Sequence, residues 1–331
     1  MVAPKENETL SNDVSPDQTI FQEKKLSRKK KPSIFSKKFV ERFFNLLFLF
    51  CGILCIAFVI LISLFLIFSG IPAMKEIGFT NFLFGKVWDP QLDITNAQGE
   101  IIQKGTFGIW AFILTSVYGT AIATIISFPI GLLTAIFLSK IANPKIALVI
   151  HKSVELLAGI PSVIYGLVGL IVVVPLVQKT FNLSSGANLF SATIILALMI
   201  LPYMITISEE ALRSVPEEYE HASLALGATE IETYFKVSVK SAKSGIMSAV
   251  IQAIGRAIGE AMAIIMVAGN VANMPKMFQS VRFLTTAIVS EMSYAEFGSL
   301  HRNALFSIGF VLFFFIMLIN TFLHFIKREE E

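Results

Sequence analysis

Glu217-Glu218-Tyr219-Glu220-His221-Ala222-Ser223-Leu224-Ala225-Leu226-Gly227-Ala228-Thr229 is a polar stretch that runs on into an apolar one carrying Gly255-Arg256-Ala257-Ile258-Gly259-Glu260 in its interior. The first part is too charged to cross a bilayer. Its apolar residues Ala222, Leu224, Ala225, Leu226 and Ala228 still give a short helix something to bury against a partner. Gly227 fits a sharp turn there, because glycine accepts positive φ at no steric cost. The second part holds full charges inside a segment otherwise suited to lipid, where a charge at the centre costs roughly 2.5–3.5 kcal/mol on insertion scales. A docking helix joined to a charged membrane helix implies a subunit that takes up force at one place and meets a solute at another.

Composition sets the solvent. Of 331 residues, 54% are hydrophobic and 15% charged, well under the roughly 25% charged residues of a soluble domain. The 30 phenylalanines include Phe43-Phe44-Asn45-Leu46-Leu47-Phe48-Leu49-Phe50, a run suited to lipid contact. Cys51 and Cys55 lie on one face of this first apolar run and read as small apolar residues. Net charge is only +3, so its distribution matters more than its sum. Lys24, Lys25, Arg28, Lys29, Lys30, Lys31, Lys37, Lys38 and Arg42 precede the first apolar run and place the N-terminus in the cytoplasm. Beside a membrane helix this basic run reads as topogenic charge with affinity for anionic lipid, not as a nucleic-acid site.

Apolar runs long enough to span, about 20 residues each, occur over residues 43–68, 109–137, 146–177, 189–207, 244–268 and 304–325. The expectation is therefore an all-α membrane protein of six transmembrane helices with both termini cytoplasmic, in the plasma or inner membrane. The first run reads as a retained anchor. Lys140, Lys145, Arg213, Lys236, Lys240 and Lys243 then fall on the inside, as the charge rule requires. The chain divides into a basic, disordered tail over 1–42, a first membrane helix over 43–69, an extracytoplasmic lobe over 70–108, a core over 109–327 containing the docking loop 216–244, and a tail over 328–331. Turn-forming Trp88-Asp89-Pro90 and Asn96-Ala97-Gln98-Gly99 imply an ordered lobe.

Several chemistries are excluded. No Gly-rich loop followed by Lys and Ser or Thr is present to cradle ATP phosphates. His151, His221, His301 and His324 lack metal-ligand spacing. No motif fixes Ser153 beside His151 and Glu155 as a nucleophile. The expectation is a chain with no catalytic residue, metal or cofactor.

Residues 216–246 resemble the cytoplasmic loop of ABC importer permeases, with the frame falling on His221-Ala222-Ser223 and Gly227. The first acidic position departs from the pattern, and Glu220 stands one residue before it. Glu155-Leu156-Leu157-Ala158-Gly159-Ile160-Pro161-Ser162-Val163-Ile164-Tyr165-Gly166, the Gly255 to Ala263 stretch with Gly269-Asn270, and Gly298-Ser299-Leu300-His301-Arg302-Asn303 look like the phosphate-uptake permeases of the PstC type, within the MetI-like fold. The resemblance implies a phosphate-importing permease. Its implied partners are a second permease of the PstA type, an ATPase dimer of the PstB type and an extracytoplasmic phosphate-binding protein of the PstS type. It also implies that Glu220, His221, Ala222, Ser223 and Gly227 seat in the ATPase. A permease for sulfate, phosphonate or molybdate, or a stand-alone carrier, are the rival readings; the docking loop argues against the carrier.

Arg256 and Glu260 stand at i, i+4, a spacing that lets them pair along one side of a continuous helix. The pair is open to two readings: an ion pair locking the bundle, or an arginine that meets a passing oxyanion while Glu260 holds it in place. Glu155 lies inside the third expected span, where it either approaches Arg256 or bonds in the packing. Pro161 is expected to bend that span.

Overall fold

The computed structural model describes residues 34–91, 94–95, 101–103 and 105–329. Most of the expected basic tail, the turn at residues 96–99 and the last two residues lie outside these. The chain divides into two units, Met1–Ile62 and Ser63–Glu331. In the first unit, helix α1 (Ile34–Ile77) begins, and every side chain described up to Ile62 is exposed. A helix that is apolar on all sides belongs in lipid or in a larger membrane assembly.

The second unit is predominantly helical, as expected, and carries two small two-stranded sheets. After α1 ends come α2 (Phe79–Phe84) and four short strands, β1 (Trp88–Asp89), β2 (Ile94–Thr95), β3 (Ile101–Gln103) and β4 (Thr106–Phe107). They pair antiparallel as β1 with β4 and β2 with β3, with Trp88 opposite Phe107. These strands fall within the stretch 70–108, where a lobe was expected. Trp88 and Phe107 are buried with Phe82, Ile109, Phe112, Leu284, Leu305 and Ile308.

The bundle follows: α3 (Trp110–Ile141), α4 (Pro144–Gly159), α5 (Ser162–Thr180), α6 (Leu189–Arg213), α7 (Glu217–Ala225), α8 (Glu230–Thr233), α9 (Lys243–Gly259), α10 (Met262–Val267), α11 (Leu284–Glu291) and α12 (Leu300–Glu329). Its centre is small residues against large ones. Ala123, Ala249, Ala253, Ala257 and Ala263 pack on Ile195, Met199, Ile200 and Met204, the close backbone approach by which helices associate where no hydrophobic force separates protein from lipid. Ser127 Oγ donates to the Ala197 carbonyl at 2.8 Å across α3 and α6.

Five helices among the described residues are long and apolar enough to span: Phe39–Ile77, Trp110–Ile141, Ser162–Thr180, Leu189–Arg213 and Leu300–Thr321. The continuous runs expected over 146–177 and 244–268 are both interrupted. Pro161 does more than bend the first. Ile160, forced out of the helical region by the proline after it, and Pro161 itself are both extended, at ψ 127° and 139°. The second breaks at Glu260, also extended at ψ 128°. The interruptions, not a sixth unbroken span, are what shape the site.

Candidate functional site

The end of α4 leaves orphan carbonyls, as every helix end does, and in lipid they need partners. Two tyrosines supply them. Tyr165 on α5 donates to the Leu157 carbonyl at 2.8 Å, and Tyr203 on α6 reaches the Ala158 carbonyl at 3.4 Å. The helices that follow the two breaks, α5 and α10, then cross at Gly166. A Cβ placed there would lie 2.9 Å from the Ala263 Cα and the Met266 Sδ and 3.0 Å from the Ala263 carbonyl oxygen. Since backbone cannot yield as a flexible side chain does, Gly166→Leu is expected to cost at least the roughly 1–3 kcal/mol typical of overpacking. Thermal unfolding of the purified complex followed by size-exclusion chromatography checks this; unchanged stability would deny the tight crossing.

Arg256 lies on α9, one turn before the second break. Its guanidinium carbon sits 4.3 Å from the centre of the Tyr203 ring, a cation–π contact of roughly 0.5–2 kcal/mol. Its Nε is buried and has no hydrogen-bond partner. The expected pairing with Glu260 does not form. Once the backbone extends at Glu260, that side chain leaves the helical i, i+4 path, and its Oε1 accepts instead from the Ala263 amide at 3.0 Å. A carboxylate there satisfies an orphan N–H at the start of α10. Glu260 is buried, and its carbonyl accepts from Thr285 Oγ1 at 2.7 Å.

Glu155 does not approach Arg256. It is exposed on α4, bonded to Lys152 at 2.8 Å and to His151 at 3.2 Å. His151 also contacts Glu209 at 3.3 Å, and Arg213 bonds the same buried carboxylate at 2.8 Å. This network ties α4 to α6.

The loop expected to dock contains the two short helices α7 and α8. His221, Ala222, Leu224, Ala225 and Leu226 are exposed, Leu226 to 90%. Tyr219, Ile231 and Phe235 add to the same apolar exposure. Gly227 has φ +89°, which only glycine adopts without strain, and nothing lies within 4 Å of a Cβ there. Thr229 opens α8 with a capping box closed by Glu232. Lys236 and Thr229 hold the Glu232 carboxyl below the usual carboxylate range by hydrogen bonding to its charged form. Ser223 Oγ lies 2.9 Å from Thr233 Oγ1 and closes the loop on itself.

Glu220 points away from this surface. Its carboxylate pairs with Lys140, at the end of α3, at 2.5 Å and accepts from Ser238 Oγ at 2.8 Å. The pair is largely buried, so α7 is clamped to the bundle through it. Lys140, Tyr165 and Tyr203 were not read as site residues from the sequence. Tyr203, a polar aromatic following Pro202 inside an apolar run, was the available signal.

The protein-family model "Binding-protein-dependent transport system inner membrane component" matches residues 127–328. The Bacillus subtilis protein named "Probable ABC transporter permease protein YqgH" is 36% identical over 277 residues, 82% of this chain and 86% of that one. "Phosphate transport system permease protein PstC" of Mesorhizobium japonicum is 31% identical over 267 residues, 75% of this chain and 77% of that one. Among solved structures, the MetNI methionine ABC transporter in an inward-facing conformation superposes with a TM-score of 0.54 at 21% identity, over 67% of this chain and 97% of that chain. At that identity the likeness concerns the fold alone. Matched by the family model over more than half its length, with broken helices around a half-buried arginine and an outward apolar turn, the chain belongs to the binding-protein-dependent transport inner membrane components, the MetI-like permease subunits of ABC importers.

Proposed function

We propose that this permease carries inorganic phosphate into the cell and that Arg256 is its contact with the oxyanion. The observation that carries the reading is the Arg256 guanidinium, placed over Tyr203 beside two helix breaks, with Nε lacking a partner. A guanidinium presents a planar fork that matches phosphate geometry. Tyr203 holds that fork by its π face, and the buried Nε keeps an unused donor. Glu260, fixed to the Ala263 amide, places negative charge near the path without neutralising the arginine. That charge keeps the anion from binding too tightly to leave. The relatives named for phosphate transport add support.

As an ABC importer permease the chain works with an ATPase and a binding protein. We assign these as a phosphate-type ATPase dimer, a second permease and an extracytoplasmic phosphate-binding protein. The ATPase bears on the exposed face around Leu226. The Lys140–Glu220 pair passes its movement to the end of α3, whose other contacts reach α6 and α9. Closure of the ATPase thereby alternates which side of the breaks is open.

The reading is tested by uptake of radiolabelled phosphate into vesicles holding all the subunits, with sulfate, molybdate or a phosphonate as competitors. Phosphate uptake that only excess phosphate suppresses is the expected result. Stronger suppression by one of the other anions would reassign the solute, and ATP-independent uptake by this chain alone would make it a carrier.

A further inference from the structure

We propose that α11 is a strut through which the lobe sets the conformation of the break at Glu260, and that Glu291 is the positioning residue fixing that strut to the lobe. The proposal rests on the importer reading above, which supplies an outward side and a binding protein to bear on it.

Glu291 closes α11 and its side chain is 5% exposed. Its carboxylate accepts from Trp88 Nε1 at 3.0 and 3.2 Å, from Arg282 Nη1, and from His301 Nε2 at 2.7 Å. A carboxylate only accepts, so it selects the Nε2–H form of the histidine. Three separate segments thus converge on one buried charge: the β1 strand, the loop before α11 and the start of α12. Apolar residues of equal volume often fill such a place at no loss of stability, and the best-attested use of a buried ionic group is to fix register.

The other end of α11 is fixed as firmly. The Leu284 amide donates to Ser116 Oγ on α3 at 3.0 Å, and Thr285 Oγ1 donates to the carbonyl of Glu260 at 2.7 Å. A second line reaches the same element. Arg282 Nε and Nη2 donate to the Asn270 carbonyl at 2.9 and 2.7 Å, and Asn270 Nδ2 donates back to Ile265 in α10 at 2.6 Å. At 1.5 Å per residue, Thr285 and Glu291 are about 9 Å apart along one helix. Lys86 and Val87, exposed on the lobe, immediately precede buried Trp88. Pressure on that strip reaches the break through Trp88, Glu291 and Thr285.

The test uses the complete complex in vesicles and compares ATPase turnover with and without binding protein loaded with phosphate. Thr285→Val is expected to leave basal turnover and assembly unchanged and to cut the stimulation about tenfold, within the 5–150-fold range of allosteric couplings, and Glu291→Gln is expected to cut it as much in whatever complex assembles. Because the residues act in series, Trp88→Phe combined with Thr285→Val is expected to lose no more than the worse single variant. Retained stimulation in Thr285→Val overturns the proposal even if Glu291→Gln fails to assemble, and so do losses that multiply in the double variant. An unmodified complex without stimulation overturns the importer reading and this proposal with it; stimulated variants in a stimulated system overturn the strut alone.

Discussion

Arg256→Gln is expected to lower phosphate uptake by about ten- to a hundredfold in complexes that assemble in normal amount. A hydrogen bond to a charged group is worth roughly 1.5–3 kcal/mol, and each 1.36 kcal/mol is a factor of ten in rate. Glutamine keeps polarity but loses both the charge and the fork. Arg256→Lys keeps the charge alone and is expected to fall between the two. Stability changes little, because what is lost in the resting fold is the stack on Tyr203, not a salt bridge. The same geometry makes a sharper prediction for Arg256→Gln with Glu260→Gln. Since Glu260 is satisfied by the Ala263 amide and not by Arg256, the two changes in thermal stability should add, within about 0.5 kcal/mol. Mutual rescue in the double variant would restore the ion pair that the helix break removes. Uptake near the unmodified rate in well-assembled Arg256→Gln would eliminate Arg256 from the path.

Leu226→Asp should abolish co-purification of the ATPase while leaving the permease folded. The side chain is 90% exposed, and surface changes of this kind usually stay within about 0.5 kcal/mol for the chain itself. If Leu226 anchors the docked face, its loss costs at least about 2 kcal/mol of binding, as interface hot spots do. Gly227 gives an independent control. Nothing surrounds its Cβ position, so Gly227→Val acts through the backbone alone, at roughly 1–2 kcal/mol for left-handed φ. Gly227→Asn, a residue enriched at positive φ, is expected to strain the turn less and to dock better than Gly227→Val. Lys140→Met acts differently: the ATPase stays bound, yet hydrolysis no longer drives uptake because the clamp on Glu220 is gone. Coupled transport at full rate in both Leu226→Asp and Gly227→Val would remove this loop from the ATPase interface.

The membrane class, an ordered segment around Trp88 and an exposed polar loop over residues 216–244 were legible because each rests on local chemistry. Hydropathy marks residues 189–207, charge marks residues 216–244, and the Gly227 turn follows from one residue. The two breaks were not legible from hydropathy: Pro161 and the charges Arg256 and Glu260 lower it locally without saying whether the backbone leaves the helix. The first had a local signal in Pro161, read as a bend because a proline alone does not say whether the backbone before it extends. The second had none, since Glu260 leaves its helix to cap the next one, and periodicity assumes that the helix goes on. The Arg256 partner was missed for a related reason: Tyr203 lies on another helix. Glu220 was placed with the docking residues by its position in the loop, whereas its direction is set by Lys140 from α3.

The interruption at Glu260 also bears on speed. Reorienting one half of an unbroken membrane helix against the other would first tear backbone hydrogen bonds in a medium that offers no water to replace them. Here the ladder is already open between Gly259 and Met262, and the exposed ends are held by side chains. Swinging α10 against α9 then needs only rotamer changes and sliding of packed surfaces, motions of microseconds to milliseconds. The barrier to turnover would lie in the nucleotide cycle, and the membrane part would follow it without delay.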